Sequence, residues 1–210
     1  MNGVFVTVEG VEGVGKSTQL GCIREFLEDS GKRVVMTREP GGTPFAESVR
    51  ELLLAPRADA VEADAELLLM FAARAAHLEE RIRPALVRGE WVVCDRFTDA
   101  TYAYQGGGRG IPPDRIQVLE NFVQRGLKPD VTFFLDAPVE VGLSRARGRE
   151  GTPDRFERED VAFFERVRQV YRDRVAAEPQ RFVVVDAAQP VDKVRDAIVS
   201  ALRRVLERHS

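Results

Sequence analysis

Five short apolar runs recur along the chain, and segments with a helical pattern separate them. Each run is rich in β-branched and aromatic residues and almost continuously apolar, as expected for strands buried on both faces. The runs read VFVTVE (4–9), RVVMTRE (33–39), WVVCD (91–95), VTFFLD (131–136) and RFVVVD (181–186). The pattern therefore predicts five strands of a buried parallel sheet.

Between the runs, apolar residues recur every three or four positions, as on one face of an amphipathic helix. A helix is predicted after Lys16 and ends at Gly31, and a long one covers residues 63–88, where Pro84 is expected to bend or break it. Three later helices are marked by Ile116–Val123, Val161–Tyr171 and Val194–Val205. Alternating strands and helices with right-handed crossovers predict an α/β fold whose parallel sheet is flanked by helices. Ligands then bind at the carboxyl ends of the strands.

Length and composition fit one soluble domain over residues 1–210. Hydrophobic residues make up 44% and charged residues 31% of the chain, which is typical of a globular protein. No run approaches the roughly 18 apolar residues of a membrane helix, and the amino terminus lacks the pattern of a secretory signal. The net charge of −3 disfavours broad nucleic-acid binding. Cys22 and Cys94 form no disulfide framework, so we expect a cytoplasmic protein without membrane or nucleic-acid partners.

Residues 10–17, GVEGVGKS, match the phosphate-binding pattern G-x-x-x-x-G-K-[ST]. The match follows a predicted strand and opens a predicted helix, which is where the mechanism requires it. Backbone N–H groups of such a loop turn towards phosphate oxygens, the lysine reaches the β- and γ-phosphates, and the hydroxyl helps to hold Mg²⁺. The sequence therefore predicts an ATP site at Gly10, Val11, Glu12, Gly13, Val14, Gly15, Lys16, Ser17 and Thr18, with Lys16 catalytic.

Asp95 ends the third apolar run, and Arg96 follows it. A carboxylate at the carboxyl end of a strand beside the phosphate loop can orient Mg²⁺, so we predict a metal site at Ser17 and Asp95. Arg96 can grip a second phosphate with two hydrogen bonds, and we predict that it is catalytic together with Lys16. A motor, a switch GTPase and a small-molecule kinase all use such a loop, but the guanine-reading N-K-x-D is absent from the sequence. A second phosphate site favours the kinase.

The stretch RARGREGTPDRFE (145–157) is the one charged insertion with Gly and Pro between apolar helices. We interpret it as a short mobile lid, because a kinase must exclude water from the transferring phosphoryl group. Arginines of this lid could neutralise charge on that group; they are Arg145, Arg147, Arg149 and Arg155. A solvated run of charges is the alternative interpretation.

Several motifs together resemble the bacterial thymidylate kinase family of the nucleoside monophosphate kinase superfamily. They are GVEGVGKST (10–18), TREPGGTPFAE (37–47), LLLMFAARAAH (67–77), DRFTDATYAYQGGGRG (95–110) and DRFE (154–157). The motifs span nearly the whole chain in the right order. The resemblance implies a three-layer P-loop kinase fold, usually as a homodimer, which phosphorylates dTMP to dTDP with ATP and Mg²⁺.

The resemblance also assigns an acceptor site. Glu12 is expected to face the 3′-hydroxyl region of dTMP, Arg38 its phosphate, and Arg74 the thymine edge. Phe71 is expected to stack on the base, although many relatives carry their aromatic residue where this chain has Met70. The remaining dTMP contacts are implied for Arg96, Thr101, Tyr104 and Gln105.

The lid supplies the catalytic arginine in relatives whose phosphate loop, like this one, contains none. Arg149 is the first choice for that role and Arg147 the second. The two histidines, His77 and His209, have no metal-ligand company and are predicted to lie on the surface or on a helix face. Two other functions stay open from the residues alone: a kinase for another nucleoside monophosphate, and a P-loop switch or ATPase that acts through protein interactions.

Overall fold

A computed structural model of the chain describes residues 3–55, 61–148, 155–156 and 159–209. These residues contain one parallel sheet, in which each predicted strand appears with ends that agree within one residue. The strands are β1 (Phe5–Glu9), β2 (Val34–Arg38), β3 (Trp91–Asp95), β4 (Val131–Asp136) and β5 (Phe182–Asp186). Their order across the sheet is β2-β3-β1-β4-β5. The central strand β1 is therefore the one that leads into the phosphate loop.

Helical segments connect the strands. In chain order they are α1 (Lys16–Asp29), α2 (Pro44–Leu54), α3 (Ala63–His77), a π-helical turn (Leu78–Ile82), α4 (Arg83–Val87), α5 (Thr98–Thr101), a second π-helical segment (Tyr102–Gly108), α6 (Pro113–Gln124), α7 (Val139–Arg147), α8 (Val161–Ala177) and α9 (Val191–Arg208).

The inner strands β1, β3 and β4 are buried on both faces, as predicted, whereas the edge strands β2 and β5 are only partly buried. Val6 and Val8 of β1 pack in a cluster with residues of α1, α8 and α9. Phe5, which precedes Val6 and so points to the opposite face, packs instead with Leu78 and Ala85 of the π-helical turn and α4. Successive side chains of a strand point to opposite faces, so the two clusters lie on opposite sides of the sheet. The fold is thus the expected three-layer α/β arrangement.

The long helix predicted over 63–88 is interrupted before Pro84. Proline lacks a backbone N–H, and its ring collides with the carbonyl four residues earlier in a regular helix. That carbonyl belongs to Glu80, which lies inside the π-helical turn Leu78–Ile82. The wider turn accommodates the proline, and helical structure continues to Val87.

Besides the short α5 and the π-helical segment that follows it, two helices were not predicted. The first, α2, begins with Thr43, whose hydroxyl accepts a hydrogen bond from Ala46 N, and Pro44 occupies the first helical position. Both are ordinary start signals. The second, α7, continues to Arg147, so the first three residues of the predicted lid are helical, and the lid itself stays a prediction. Of the predicted lid beyond α7, the structure describes Gly148, Arg155 and Phe156.

Candidate active site

The phosphate loop joins the end of β1 to the start of α1. Gly10, Gly13 and Gly15 have φ values of 144°, 73° and 91°, which residues with a Cβ rarely adopt. Val11 and Val14 are buried in the main core cluster, so only their backbone groups are available to a ligand. The loop has the conformation in which backbone N–H groups can surround a phosphate.

A close backbone contact joins the loop to α7. A Cβ on Gly13 would lie 1.8 Å from the carbonyl oxygen of Gly142, and a Cβ on Gly142 would lie 2.4 Å from that of Glu12. Neither position has room for a side chain. Gly142 is therefore part of the loop's support, although it belongs to none of the motifs recognised in the sequence.

Lys16 folds back across the loop. Its ammonium donates to the carbonyl oxygens of Gly10 at 3.1 Å and Val11 at 3.0 Å. Burial lowers the pKa of Lys16, and the positive charge of Arg96 lowers it further. The cation is thus held beside the loop by neutral acceptors, where phosphate oxygens can replace them.

A cavity of about 230 Å³ opens beside the loop. It unites most of the predicted site: Glu12, Gly13, Gly15, Lys16, Ser17, Arg74, Asp95, Arg96, Thr101, Tyr104 and Gln105 line its wall. Since these residues come from the loop, from α3 and from the segment after β3, the cavity lies at the carboxyl edge of the sheet. That is the position expected for a ligand in an open α/β sheet.

Ser17 and Asp95 fit a magnesium ion. Asp95 Oδ1 is buried and has no hydrogen-bond partner in the part of the chain that the structure describes, while Ser17 lines the same cavity. Among the described residues, no group of three or more His, Cys, Asp and Glu side chains could hold a metal. A cation held here takes its other ligands from phosphate and water, as Mg²⁺ commonly does.

Arg96 adopts the left-handed backbone conformation, with a φ of 66°, which is uncommon for a residue with a side chain. Its guanidinium donates from Nη2 to Glu12 at 2.7 Å and lies 4.6 Å from the centre of the Tyr104 ring. Nη1 is buried and has no partner among the described residues. The strained turn thus carries an arginine with a free donor at the cavity wall.

Arg74 is held on two sides. Nε donates to Glu39 at 2.7 Å, and Nη2 donates to the Thr101 hydroxyl at 2.8 Å. Nη1 is again buried without a partner in the described ranges. Burial alone would raise the pKa of Glu39, but the charge of Arg74 and the hydrogen bond with His77 hold it below its usual value. A fixed arginine with one free donor is suited to reading a carbonyl.

His77 lies on a helix, α3, as one of the two predicted locations has it, and not on the surface. It is fully buried and its ring lies between Glu39, at 2.9 Å, and Thr37, at 2.6 Å. The sequence offered no sign of this, because the residues that bury it come from β2 and the turn after it. Its role is to fix the carboxylate that holds Arg74.

Two predicted acceptor residues lie elsewhere. Phe71 does not line the cavity but packs with Tyr102 and Ile116 in a separate core cluster, with its ring centre 4.8 Å from Arg74 Cζ. Met70 and Arg74 of the same helix line the wall. Neighbouring helix positions differ by about 100° in direction, so a one-residue offset moves the ring into the core. Arg38 is half-exposed, pairs with Glu47 at 2.7 Å and lines an adjoining cavity that shares Asp95 with the main one.

The lid arginines are only partly described. Arg149 and the side chain of Arg147 lie outside the described residues. Arg145 donates to the carbonyl of Ala187 at 2.8 Å, and Arg155 pairs with the buried Glu66. Phe156 lines the cavity, which the sequence did not suggest. Neither Arg145 nor Arg155 is directed to a transferring phosphoryl group by these contacts.

The fold and this cavity define a nucleotide-binding P-loop protein of the kinase class, with a phosphate loop and a second cationic wall facing one space. Comparison with known proteins narrows the class. The family model described as thymidylate kinase matches residues 8–198. The chain belongs to the thymidylate kinase family.

Known thymidylate kinases are similar to this chain over nearly its full length. Thymidylate kinase of Pseudomonas entomophila (strain L48) is 60% identical over 208 residues, which cover 99% of each chain. That of Hahella chejuensis (strain KCTC 2396) is 60% identical over 200 residues, 95% of this chain and 96% of the relative. The crystal structure of thymidylate kinase from Ehrlichia chaffeensis superimposes with a TM-score of 0.79 at 34% identity, covering 97% of this chain and 99% of the other.

Within the described residues, no helix combines the length and apolarity that crossing a membrane requires.

Proposed function

We propose that this protein transfers the γ-phosphoryl group of ATP to dTMP, giving ADP and dTDP. The observation that carries the proposal is a pair of buried guanidinium nitrogens, Arg74 Nη1 and Arg96 Nη1, which have no hydrogen-bond partner within the described part of the chain and belong to residues of one cavity wall. A buried donor without a partner costs about 1–3 kcal/mol, so such groups indicate a ligand with complementary acceptors. Thymidine monophosphate offers both, a base carbonyl and a phosphate.

In this mechanism the protein positions two nucleotides and stabilises charge. The loop amides and Lys16 hold the donor phosphates, and Arg96 holds the acceptor phosphate. Glu12, bound by Arg96 and Tyr104, is placed to accept from a sugar hydroxyl. Arg74, Thr101 and Gln105 contact the base. We place dTMP between these residues and Met70, and keep Arg38 as an outer contact to the phosphate.

We further propose Mg²⁺ as the metal, held by Ser17 and Asp95. When bound, it neutralises charge on the β- and γ-phosphates. A catalytic arginine from the lid, Arg149 or Arg147, completes the proposal.

The two cysteines are free, which fits the reducing cytoplasm as the place of action.

An acceptor panel tests the activity. Formation of ADP is measured with Mg²⁺ and ATP in the presence of dTMP, dUMP, dCMP, dGMP or dAMP, and without any acceptor. The proposal expects the highest kcat/KM with dTMP and little phosphate release without acceptor. Higher activity with another monophosphate, or acceptor-independent release of orthophosphate, would point to one of the two alternative functions.

We also propose a homodimer that covers an exposed apolar surface on α3 and α6, two helices that pack together. Leu68, Val118 and Phe122 are 57%, 67% and 78% exposed, which is unusual for large apolar residues on packed neighbouring helices. Phe122→Glu should convert a dimer into a monomer in sedimentation velocity. Val191→Glu, at an exposed apolar position of α9, is the control and should leave the mass unchanged.

A further inference from the structure

Glu66 is a fully buried carboxylate at the edge of the acceptor cavity, and it belongs to none of the motifs described above. Its Oε1 accepts hydrogen bonds from Gln105 Nε2 at 2.8 Å and from Arg109 Nε at 3.4 Å. Its Oε2 accepts from Arg155. The two arginines compensate the buried negative charge, which makes removal of the carboxylate from water tolerable.

The contact with Glu66 fixes the orientation of the Gln105 amide. A glutamine side chain has a donor end and an acceptor end, whereas a carboxylate only accepts. The NH₂ group of Gln105 must therefore face Glu66. Since Gln105 also lines the cavity, turning its NH₂ group to Glu66 leaves the carbonyl oxygen at the other end of the amide as an acceptor for a ligand.

Arg74 and Gln105 then form a complementary pair. Arg74 Nη1 offers a donor, and the Gln105 carbonyl offers an acceptor. Thymine and uracil complement this pair, because their C4 carbonyl can accept from Arg74 and their N3–H can donate to Gln105. Cytosine has the opposite arrangement, because its C4 amino group is a donor and its N3 is an acceptor.

We propose that Glu66 is a positioning residue that sets base selectivity: by orienting the Gln105 amide, it favours an N3–H pyrimidine over cytosine. The inference rests on the proposed function, because it takes the acceptor to be a pyrimidine nucleoside monophosphate. It adds a residue that touches no substrate and acts on base selectivity through Gln105.

The test is the selectivity ratio of dTMP to dCMP, taken from kcat/KM or, where dCMP is not turned over, from its inhibition constant. Glu66→Gln offers Gln105 both a donor and an acceptor, so either amide orientation becomes possible. The ratio should fall roughly 5- to 100-fold, the range for one mispaired buried hydrogen bond, while the KM for ATP stays unchanged. Glu66→Asp keeps an acceptor-only group and should preserve the ratio even where it raises the KM for dTMP.

A double-mutant cycle separates this role from general support of the fold. Gln105→Leu should lower the ratio as Glu66→Gln does, and the two changes combined should lower it no further. Asp64→Asn is the matched control on α3, since Asp64 is exposed and pairs with Arg115, and it should leave the ratio unchanged.

Several results would overturn the inference: an unchanged ratio in Glu66→Gln, loss of the ratio in Glu66→Asp, or additive effects in the cycle. If thermal unfolding shows that Glu66→Gln does not fold, the test rests on Glu66→Asp and Gln105→Leu. A selectivity ratio that is unchanged in Gln105→Leu would exclude Gln105 as the residue that reads the base. Wild-type protein that does not phosphorylate dTMP refutes the proposed function itself. A normal wild type with insensitive variants refutes only the role of Glu66.

Discussion

The Arg96 guanidinium donates a 2.7 Å hydrogen bond to the Glu12 carboxylate, so the acidic residue of the phosphate loop is paired with the arginine that follows β3. Tyr104 adds a second hydrogen bond at 3.0 Å. A carboxylate in a loop that holds phosphates would repel them. Here the positive charge of Arg96 compensates the negative charge of Glu12, and both Arg96 and Tyr104 line the predicted dTMP side of the cavity.

Glu12→Gln should therefore impair dTMP more than ATP. The substitution removes the charge that pairs with Arg96 and the acceptor for a sugar hydroxyl. We expect the KM for dTMP to rise roughly 10-fold, within the range for one charged hydrogen bond, and the KM for ATP to change little. Steady-state kinetics with each substrate varied in turn measure both. Glu25→Gln, on the exposed side of α1, is the control, and equal losses for the two substrates would contradict the assignment.

Lys16→Ala tests the donor side. Lys16 is held by two loop carbonyls, so it is positioned before phosphate arrives. Loss of one such preorganised donor costs about 10²-fold or more in kcat. Binding of dTMP alone, measured by calorimetry, should be little altered. Lys193→Ala, on exposed α9, should behave as the wild type, and near-normal turnover in Lys16→Ala would contradict the phosphate-loop role.

Substitutions at Met70 and Phe71 should change different properties: the KM for dTMP at Met70 and the free energy of unfolding at Phe71. Met70→Phe places a ring at the cavity wall and should lower the KM for dTMP by the equivalent of about 0.5–1.5 kcal/mol of stacking. Phe71→Leu leaves the wall intact and should lower the free energy of unfolding by about 1 kcal/mol through altered core packing. Kinetics and urea denaturation of both variants measure this. A higher KM for dTMP in Phe71→Leu, at unchanged stability, would restore Phe71 to the binding site.

The lid arginines remain a prediction from the sequence and the family. Arg149→Ala should reduce kcat about 10²-fold with modest changes in KM, as expected for a contact made mainly in the transition state. Arg203→Ala, exposed on α9, is the control. A silent Arg149→Ala together with an impaired Arg147→Ala would keep the role for the lid and transfer it to Arg147.

The strands and the phosphate loop were predictable because their signals are local. Apolar runs fixed the strand ends within one residue, and the glycine spacing identified the loop. For the stacking position the family pattern pointed to residue 70, whereas the aromatic ring of this chain lies at residue 71; the rotation of α3 against its neighbours decides which of the two reaches the cavity. The burial of His77 and Glu66 follows from contacts between residues far apart in sequence. Periodicity carries no information about such contacts.

The last prediction concerns Glu9, at the end of β1. Its buried carboxylate accepts hydrogen bonds from Phe97 N and the Tyr171 hydroxyl, each at 2.7 Å, and so supports the turn that carries Arg96. Burial, together with the negative charge of Asp99, raises the pKa of Glu9 to about 8. In the unfolded chain the pKa returns to about 4.5. Between these values the native state holds the extra proton, so stability falls as the pH rises.

Glu9→Gln cannot titrate, so it isolates this effect. The stabilising contribution of Glu9 is complete below the unfolded pKa and is lost as the pH approaches 8. Subtracting the variant's free energy of unfolding from that of the wild type should therefore give a difference that declines steadily from pH 5 to pH 8. Urea denaturation at intervals across that range measures it, with Glu25→Gln as the exposed control. Parallel curves for wild type and Glu9→Gln would mean that Glu9 has the same proton affinity in the native and unfolded states.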